Sequence, residues 1–291
     1  MSIIRSIAKA LIWQVLFLSI VGIAGAASVS LEEVMDSKSV KATAVIDQGN
    51  TGTNIKVVFV NVSNKKQVFH VEAGRIFDVL DGNYQDLITV STTEVSITPG
   101  AKGTVRLRGF CKNRTKGSPR AQNKIVLGEM ATGNLLKICE HLDGKLFMDN
   151  TFQYAVWSAT DGVDIKSVYT KGDDVGQIKV LHKFLSKVLE KPLPSYSLFI
   201  EYKQVGTNFW ESVPNYLYLD ADYETTVNGD VRIVFEDSQG KVIRELMRPT
   251  YRVYDKYALE VRMYLDGINS GMYKVKVYLG NKVLKEWQAT I

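Results

Sequence analysis

The sequence predicts a mainly β protein with a helical insert, an α+β chain in which an N-terminal antiparallel β-sandwich, a three-helix middle segment and a C-terminal immunoglobulin-like β-sandwich follow one another. Three observations predict it. Apolar and polar residues alternate in short stretches over 40–110 and again beyond 196. Between these regions the apolar residues fall at steps of three and four, the period of a helix face rather than of a strand. Gly, Asn, Asp and Pro clusters punctuate the stretches at short spacing, as closely packed strands require.

The elements follow in order. Arg5 and Lys9 precede an apolar run from Ala10 to Ile23, and Ala24-Gly25-Ala26 supplies small residues where a signal peptidase reads. Residues 1–26 are expected to be an export signal that is removed. The run is shorter than the roughly 20 residues that span a bilayer. No cysteine follows to take a lipid, and no second apolar run near the C-terminus offers an anchor. The expected destination is the periplasm, the cell surface or the exterior, without a transmembrane anchor. About 265 residues then remain of the 291, enough for two domains.

Residues 28–110 read as the first β-sandwich, with strands expected at Val40 to Ile46, Ile55 to Val62, Lys66 to Val71, Leu87 to Val90, Glu94 to Thr98 and Thr104 to Arg108. In the last two the alternation is of period two, so each strand has one face to bury. Residues 111–191 read as helical and packed on the first domain. Met130, Leu135, Ile138, Cys139 and Leu142 make one stripe, Phe152, Ala155, Val156 and Ala159 a second, and Val175, Ile178, Leu181, Leu185 and Val188 a third. Asn150 is placed to cap the second helix, Asp174 and Gln177 resemble a capping pair for the third, and Pro192 and Pro194 stop it. Residues 192–195 form a stiff linker. From 196 to 291, strands are expected at Ser197 to Tyr202, Asn215 to Leu219, Val231 to Phe235, Val242 to Met247, Ala258 to Tyr264, Tyr273 to Tyr278 and Val283 to Gln288. Asp237-Ser238-Gln239-Gly240 and Asp266-Gly267 supply turns among them.

Composition narrows the function. The formal charge of +5 becomes +3 once Arg5 and Lys9 leave, and the basic residues are scattered, so nucleic acid is excluded as a partner. His70, His141 and His182 fall in three separate elements with no ligand spacing, and there is no Gly-x-Ser-x-Gly elbow or phosphate loop. No cofactor is implied. Asp220, Asp222 and Glu224 alternate, so a calcium ion could bridge them on one strand face, or they are the solvated charges of an edge strand. Asp161, Asp164, Asp173 and Asp174 read as helix caps. Asn61-Val62-Ser63 and Asn113-Arg114-Thr115 fit the N-glycosylation pattern.

The constellation with chemical content is Gly109-Phe110-Cys111 followed by Phe152-Gln153-Tyr154-Ala155-Val156-Trp157. With Ser118-Pro119 and Ser158-Ala159-Thr160-Asp161-Gly162, it resembles the thioester domains of bacterial surface adhesins over about residues 100–165. The resemblance implies that Cys111 and Gln153 condense to an internal thioester, with Trp157, one turn along the helix, shielding the bond. Phe152 stands where that family's motif has Thr, and Lys112 where an apolar residue is expected. In an oxidising compartment a disulfide between Cys111 and Cys139 is the first alternative, worth roughly 3 to 4 kcal/mol through the loop it closes. A third is two thiols, with Gln153 hydrogen-bonded to backbone and Trp157 in the core.

A second resemblance, over Asp237 to Ile243 and Leu265 to Val277, is to the closing β-domains that serve some exported proteins as sorting tags. The sequence therefore points to a non-enzymatic exported protein of the cell envelope or surface, used for adhesion or for interaction with an extracellular protein or glycan, and sharpened by covalent capture. A secreted hydrolase acting on a polymer through unidentified carboxylates, and a structural envelope component, are the alternatives.

Overall fold

A computed structural model describes residues 29–47, 52–206 and 209–291; the expected export signal, 1–26, lies outside the described residues. From the N-terminal side the elements are β1 (Val29–Ser30), α1 (Leu31–Asp36), β2 (Val40–Ile46), β3 (Gly52–Asn61), β4 (Gln67–Val71), β5 (Arg75–Val79), β6 (Leu87–Thr89), β7 (Thr93–Ile97), β8 (Lys102–Cys111) and β9 (Ile125–Met130). Three helices follow: α2 (Gly133–Leu142), α3 (Asp149–Thr160) and, after a 3₁₀ turn at Ile165–Ser167, α4 (Val175–Val188). The remainder is strand: β10 (Tyr196–Gly206), β11 (Phe209–Asp220), β12 (Tyr223–Glu224), β13 (Gly229–Asp237), β14 (Val242–Arg252), β15 (Lys256–Tyr257), β16 (Glu260–Tyr264), β17 (Met272–Leu279) and β18 (Lys282–Thr290). The chain is mainly β with a few helices, the expected class. Among the described residues no helix is long and apolar enough to cross a membrane.

The first part holds a six-stranded antiparallel sheet in the order β2-β3-β8-β6-β5-β9 and a three-stranded sheet in the order β1-β4-β7. Val40, Ala44 and Ile46 of β2 point inward while Lys41 and Thr43 point away or to the rim, which is the alternation a one-sided sheet demands. Phe59 of β3 meets Phe69 of β4 edge to face, ring centres 5.1 Å apart, and joins the two sheets through the core. A single bridge from Val45 to Lys124 brings the outer edges of the six-stranded sheet together, so it curls towards closure.

Two local expectations are corrected, and two short elements are added. β9 is a strand inside the segment read as wholly helical: β5 needs a partner along its outer edge, and Ile125–Met130 pairs with it from Arg75↔Met130 to Val79↔Ile125. β5 itself and α1 carry too little pattern in their few residues to be legible, although Ser30 and Glu33 form a reciprocal capping box at α1. Asn150 is not the cap of α3; Met148 is, and its N–H donates to the Asp173 carboxylate at 2.7 Å.

α3 is the central helix. Thr151 through Ser158 are buried without interruption, so it lies in the core on all sides rather than on one stripe. α2 packs against it with Ile138, Cys139 and Leu142. α4 starts at Asp174, whose side chain accepts from Gln177 N–H at 2.8 Å as expected.

All seven strands expected beyond 196 are present. They form a three-stranded sheet, β10-β11-β16, facing a four-stranded sheet, β14-β13-β17-β18, a two-sheet β-sandwich. Leu217, Ile233, Phe235, Val275 and Val277 fill its interior. The two cores touch: Ile200 packs against both, and Tyr216 and Tyr218 of β11 belong to the first.

Candidate functional site

β8 ends against α3, and the residues of the recognised constellation meet there. Phe110 stacks on Phe152 at 5.5 Å. Arg108 lies over the Phe152 ring at 4.1 Å and pairs with Asp149 in the first turn of α3 at 2.5 Å. A carboxylate at a helix N-terminus and a cation over an aromatic face are both favourable placements. Arg108 and Asp149 were not singled out from sequence, because Arg108 is one of several polar residues that alternate along β8.

Gln153 is 3% exposed and clasps Cys111 through both ends of its carboxamide. Its Oε1 accepts from the Cys111 backbone N–H at 2.9 Å, and its Nε2 donates to the Cys111 carbonyl at 2.7 Å. Two residues 42 apart in sequence are thereby brought together. Burial pushes the Cys111 thiol up to about 12, opposed by a smaller downward pull from a hydrogen bond with Ser118. Ser118-Pro119, noted from sequence, thus returns to the cysteine, and Pro119 is buried.

Trp157, on the same helix one turn on, is 9% exposed and packs edge to face on Tyr154, ring centres 5.7 Å apart. Arg114 covers its ring from outside at 5.8 Å. Lys112, the departure from the family pattern, turns towards Asp86 at 3.9 Å. Behind the strand, Asn54 is fully buried, and neither end of its amide has a partner among the described residues.

The expected alternatives separate. No bond joins Cys111 to Cys139. Cys111 closes β8 with its backbone held by Gln153, whereas Cys139 lies on the buried face of α2, its thiol pushed up to about 12 by burial. Asp220, Asp222 and Glu224 do not form a calcium site, and no group of three metal-binding side chains gathers among the described residues. Asp220 pairs with Lys179 at 2.5 Å, Asp222 accepts from Leu259 N–H at 3.1 Å, and Glu224 stands opposite Lys256.

Of the other aspartates expected as caps, Asp164 and Asp174 are side-chain N-caps, whereas Asp161 and Asp173 hold groups from elsewhere. Asp164 accepts from Lys166 N–H and Asp174 from Gln177 N–H, while Asp161 accepts from Arg114 N–H. Asp173 holds Met148 N–H, Thr170 N–H and the Thr151 hydroxyl, and so fixes the start of α3.

The amide of the first glycosylation pattern is committed within the fold, and in the second the amide oxygen is buried. Asn61 donates to the Lys65 and Ile97 carbonyls and accepts from Ser63, and the Asn113 amide oxygen is buried. Among the described residues near the site, Asp78 has a perturbed carboxylate. Burial raises its carboxyl, with help from Asp86 and Glu129 and against Lys112. Asp86 is committed to Val79 N–H at 3.1 Å, so the pair is not a free acid and base.

No protein-family model matches the chain, and no curated protein matches it by sequence.

Proposed function

We propose that this is an exported envelope or surface protein for adhesion or protein and glycan interaction, which captures a partner covalently through a thioester between Cys111 and Gln153. The observation that carries it is the two-point clasp of the Gln153 carboxamide on Cys111 inside a buried junction. The clasp also has the polarity that the chemistry needs. When Cys111 Sγ attacks Gln153 Cδ, negative charge develops on Oε1, where the Cys111 N–H already points. The Cys111 carbonyl holds Nε2, the group that must leave.

In the exchange, the S–C bond forms as the C–N bond breaks. The thiol proton goes to nitrogen, and ammonia departs. Close packing by Phe110, Phe152 and Trp157 keeps water from the acyl-sulfur bond. A partner amine would later form a C–N bond to Cδ as the C–S bond breaks, passing a proton back to Cys111 sulfur. With a thiol held near pKa 12, proximity rather than a standing thiolate is what the site contributes.

Intact mass of the natively purified protein tests the proposal. Wild type should be lighter than its sequence by one ammonia, whereas Cys111→Ser and Gln153→Ala should match their sequences. Methylamine should add once, at Gln153. A full wild-type mass, with both thiols alkylated in denaturant, would remove covalent capture and leave Gln153 as a structural clamp.

A further inference from the structure

A pocket of about 330 Å³ opens where α4, the 191–195 segment and the β10-β11 edge meet, with His182, Lys183, Pro194, Tyr196 and Ser197 in its wall. It is at the lower end of the range for small-molecule sites, and it is separate from the Cys111 and Gln153 junction. Two side chains in its wall are more than nine-tenths buried and lack a protein partner for one polar group.

His182, 4% exposed, holds the Val168 carbonyl at 2.9 Å through Nε2. Only a protonated Nε2 can donate to a carbonyl. In the neutral ring that burial favours, Nδ1 is therefore an acceptor, and it has no partner among the described residues. Ser197, 6% exposed, likewise has no hydrogen-bond partner for its hydroxyl among them. At the rim Lys183 enters no ion pair among the described residues, whereas Lys179 is taken by Asp220. The tyrosine hydroxyls are already used: Tyr218 donates to Asp220 at 2.7 Å, and Tyr196 donates to the Thr290 carbonyl at 3.0 Å. Tyr218 is 3% exposed, so the apolar face left to a ligand is that of the half-buried Tyr196, beside Pro194 and Leu193.

We infer that the pocket binds a sugar bearing a carboxylate, such as a uronic acid unit. Each wall excludes a simpler ligand. A hydrocarbon would leave His182 Nδ1 and the Ser197 hydroxyl desolvated without partners, which is unfavourable. Inorganic phosphate and simple carboxylates bring acceptors to Lys183 but few or no donors to Nδ1. A neutral sugar supplies hydroxyl donors and a C–H face for the Tyr196 ring but leaves the Lys183 ammonium unmatched. A uronic acid supplies hydroxyl, anion and apolar face together. Because the wall comes from α4 on one side and β10 and β11 on the other, the ligand also ties the helical segment to the terminal sandwich.

Titration of the full protein with D-glucuronate and D-galacturonate, followed by ligand-observed NMR and calorimetry, tests this. At least one should bind, with glucose and cyclohexanecarboxylate each weaker by about tenfold or more. Lys183 is exposed, so Lys183→Ala should fold normally, and it should lose about tenfold in affinity, with Lys183→Arg retaining most of it. Ser197→Ala is a second variant that leaves the charge in place and should also weaken binding. Absence of binding by both uronates, or equal binding by wild type and Lys183→Ala, would overturn the inference. Tighter binding of a free amino acid than of either uronate would overturn the sugar assignment. Cys111→Ser should bind as wild type does, which keeps this outcome independent of the thioester.

Discussion

At position 109 a side chain has nowhere to go: a Cβ there would lie 2.5 Å from Ile55 Cδ1 and 2.7 Å from Asn54 Oδ1. Gly109→Ala should therefore destabilise the protein by about 1–3 kcal/mol through overpacking, read as a lower urea midpoint. In the uncondensed protein, where both ends of the amide are present, Gln153→Ala removes both partners of a buried backbone N–H and C=O, a loss of about 1–3 kcal/mol for each group left unsatisfied. His182 provides a pH signature. Burial lowers its pKa from 6.5, against smaller upward pulls from its hydrogen bond to Val168 and from Asp164. The unfolded chain then takes up the proton first, so stability is intact above the unfolded value and falls as pH drops below about 6.5. Melting temperature should decline over that interval more steeply for wild type than for His182→Gln. Cys111, Gln153 and Trp157 were legible in the sequence as a motif. Arg108, Ser197 and His182 were not, since only the folded neighbours of an isolated polar residue give it a role.

Among the elements, β5 depends on an ion-pair cluster at its first residue. Arg75, with a side chain only 4% exposed, pairs with Glu72 at 3.1 Å and Glu32 at 3.4 Å, and Glu72 also accepts from Leu31 N–H. The cluster thus pins α1 to the sheet. Glu72→Gln should cost about 3 kcal/mol, because it leaves a buried guanidinium short of its nearest countercharge, while the urea m-value stays unchanged. β14 shows the opposite management of charge. It is the outer strand of its sheet, yet Pro249 interrupts its donors and Arg244, Arg248 and Arg252 are spread along it. Such an edge resists strand addition, which disfavours assembly through β14. The strands beyond 196 were readable because alternation repeats over many residues there. β9 was misread because six residues at a sheet edge look alike at either period.

For the whole molecule, the contact between the two cores decides how it unfolds. Tyr169 and Tyr218 meet at 6.4 Å, Lys179 pairs with Asp220, and Lys171 hydrogen-bonds Tyr264 across the same boundary. Tyr218 is 3% exposed and sits in the first core although it belongs to the second sheet pair. Calorimetry of the wild type should show one transition. Tyr218→Ala removes that shared packing, so the sandwich beyond 196 should melt separately, and a single unaltered transition would show that the coupling lies elsewhere.

The sequence alone determined the class of the molecule, its seven closing strands, its longest helix with the Asp174 cap, and the pairing of Cys111 with Gln153 as a chemical possibility. These are local or repetitive signals, set by side-chain period and by residues that act on their own backbone. Only the tertiary structure decided that Gln153 grips the cysteine backbone, that Cys139 stays apart, that α3 is buried all round, and that a pocket forms between α4 and β11. Each of those depends on which distant surfaces meet, and burial and hydrogen-bond partners do not exist until they do.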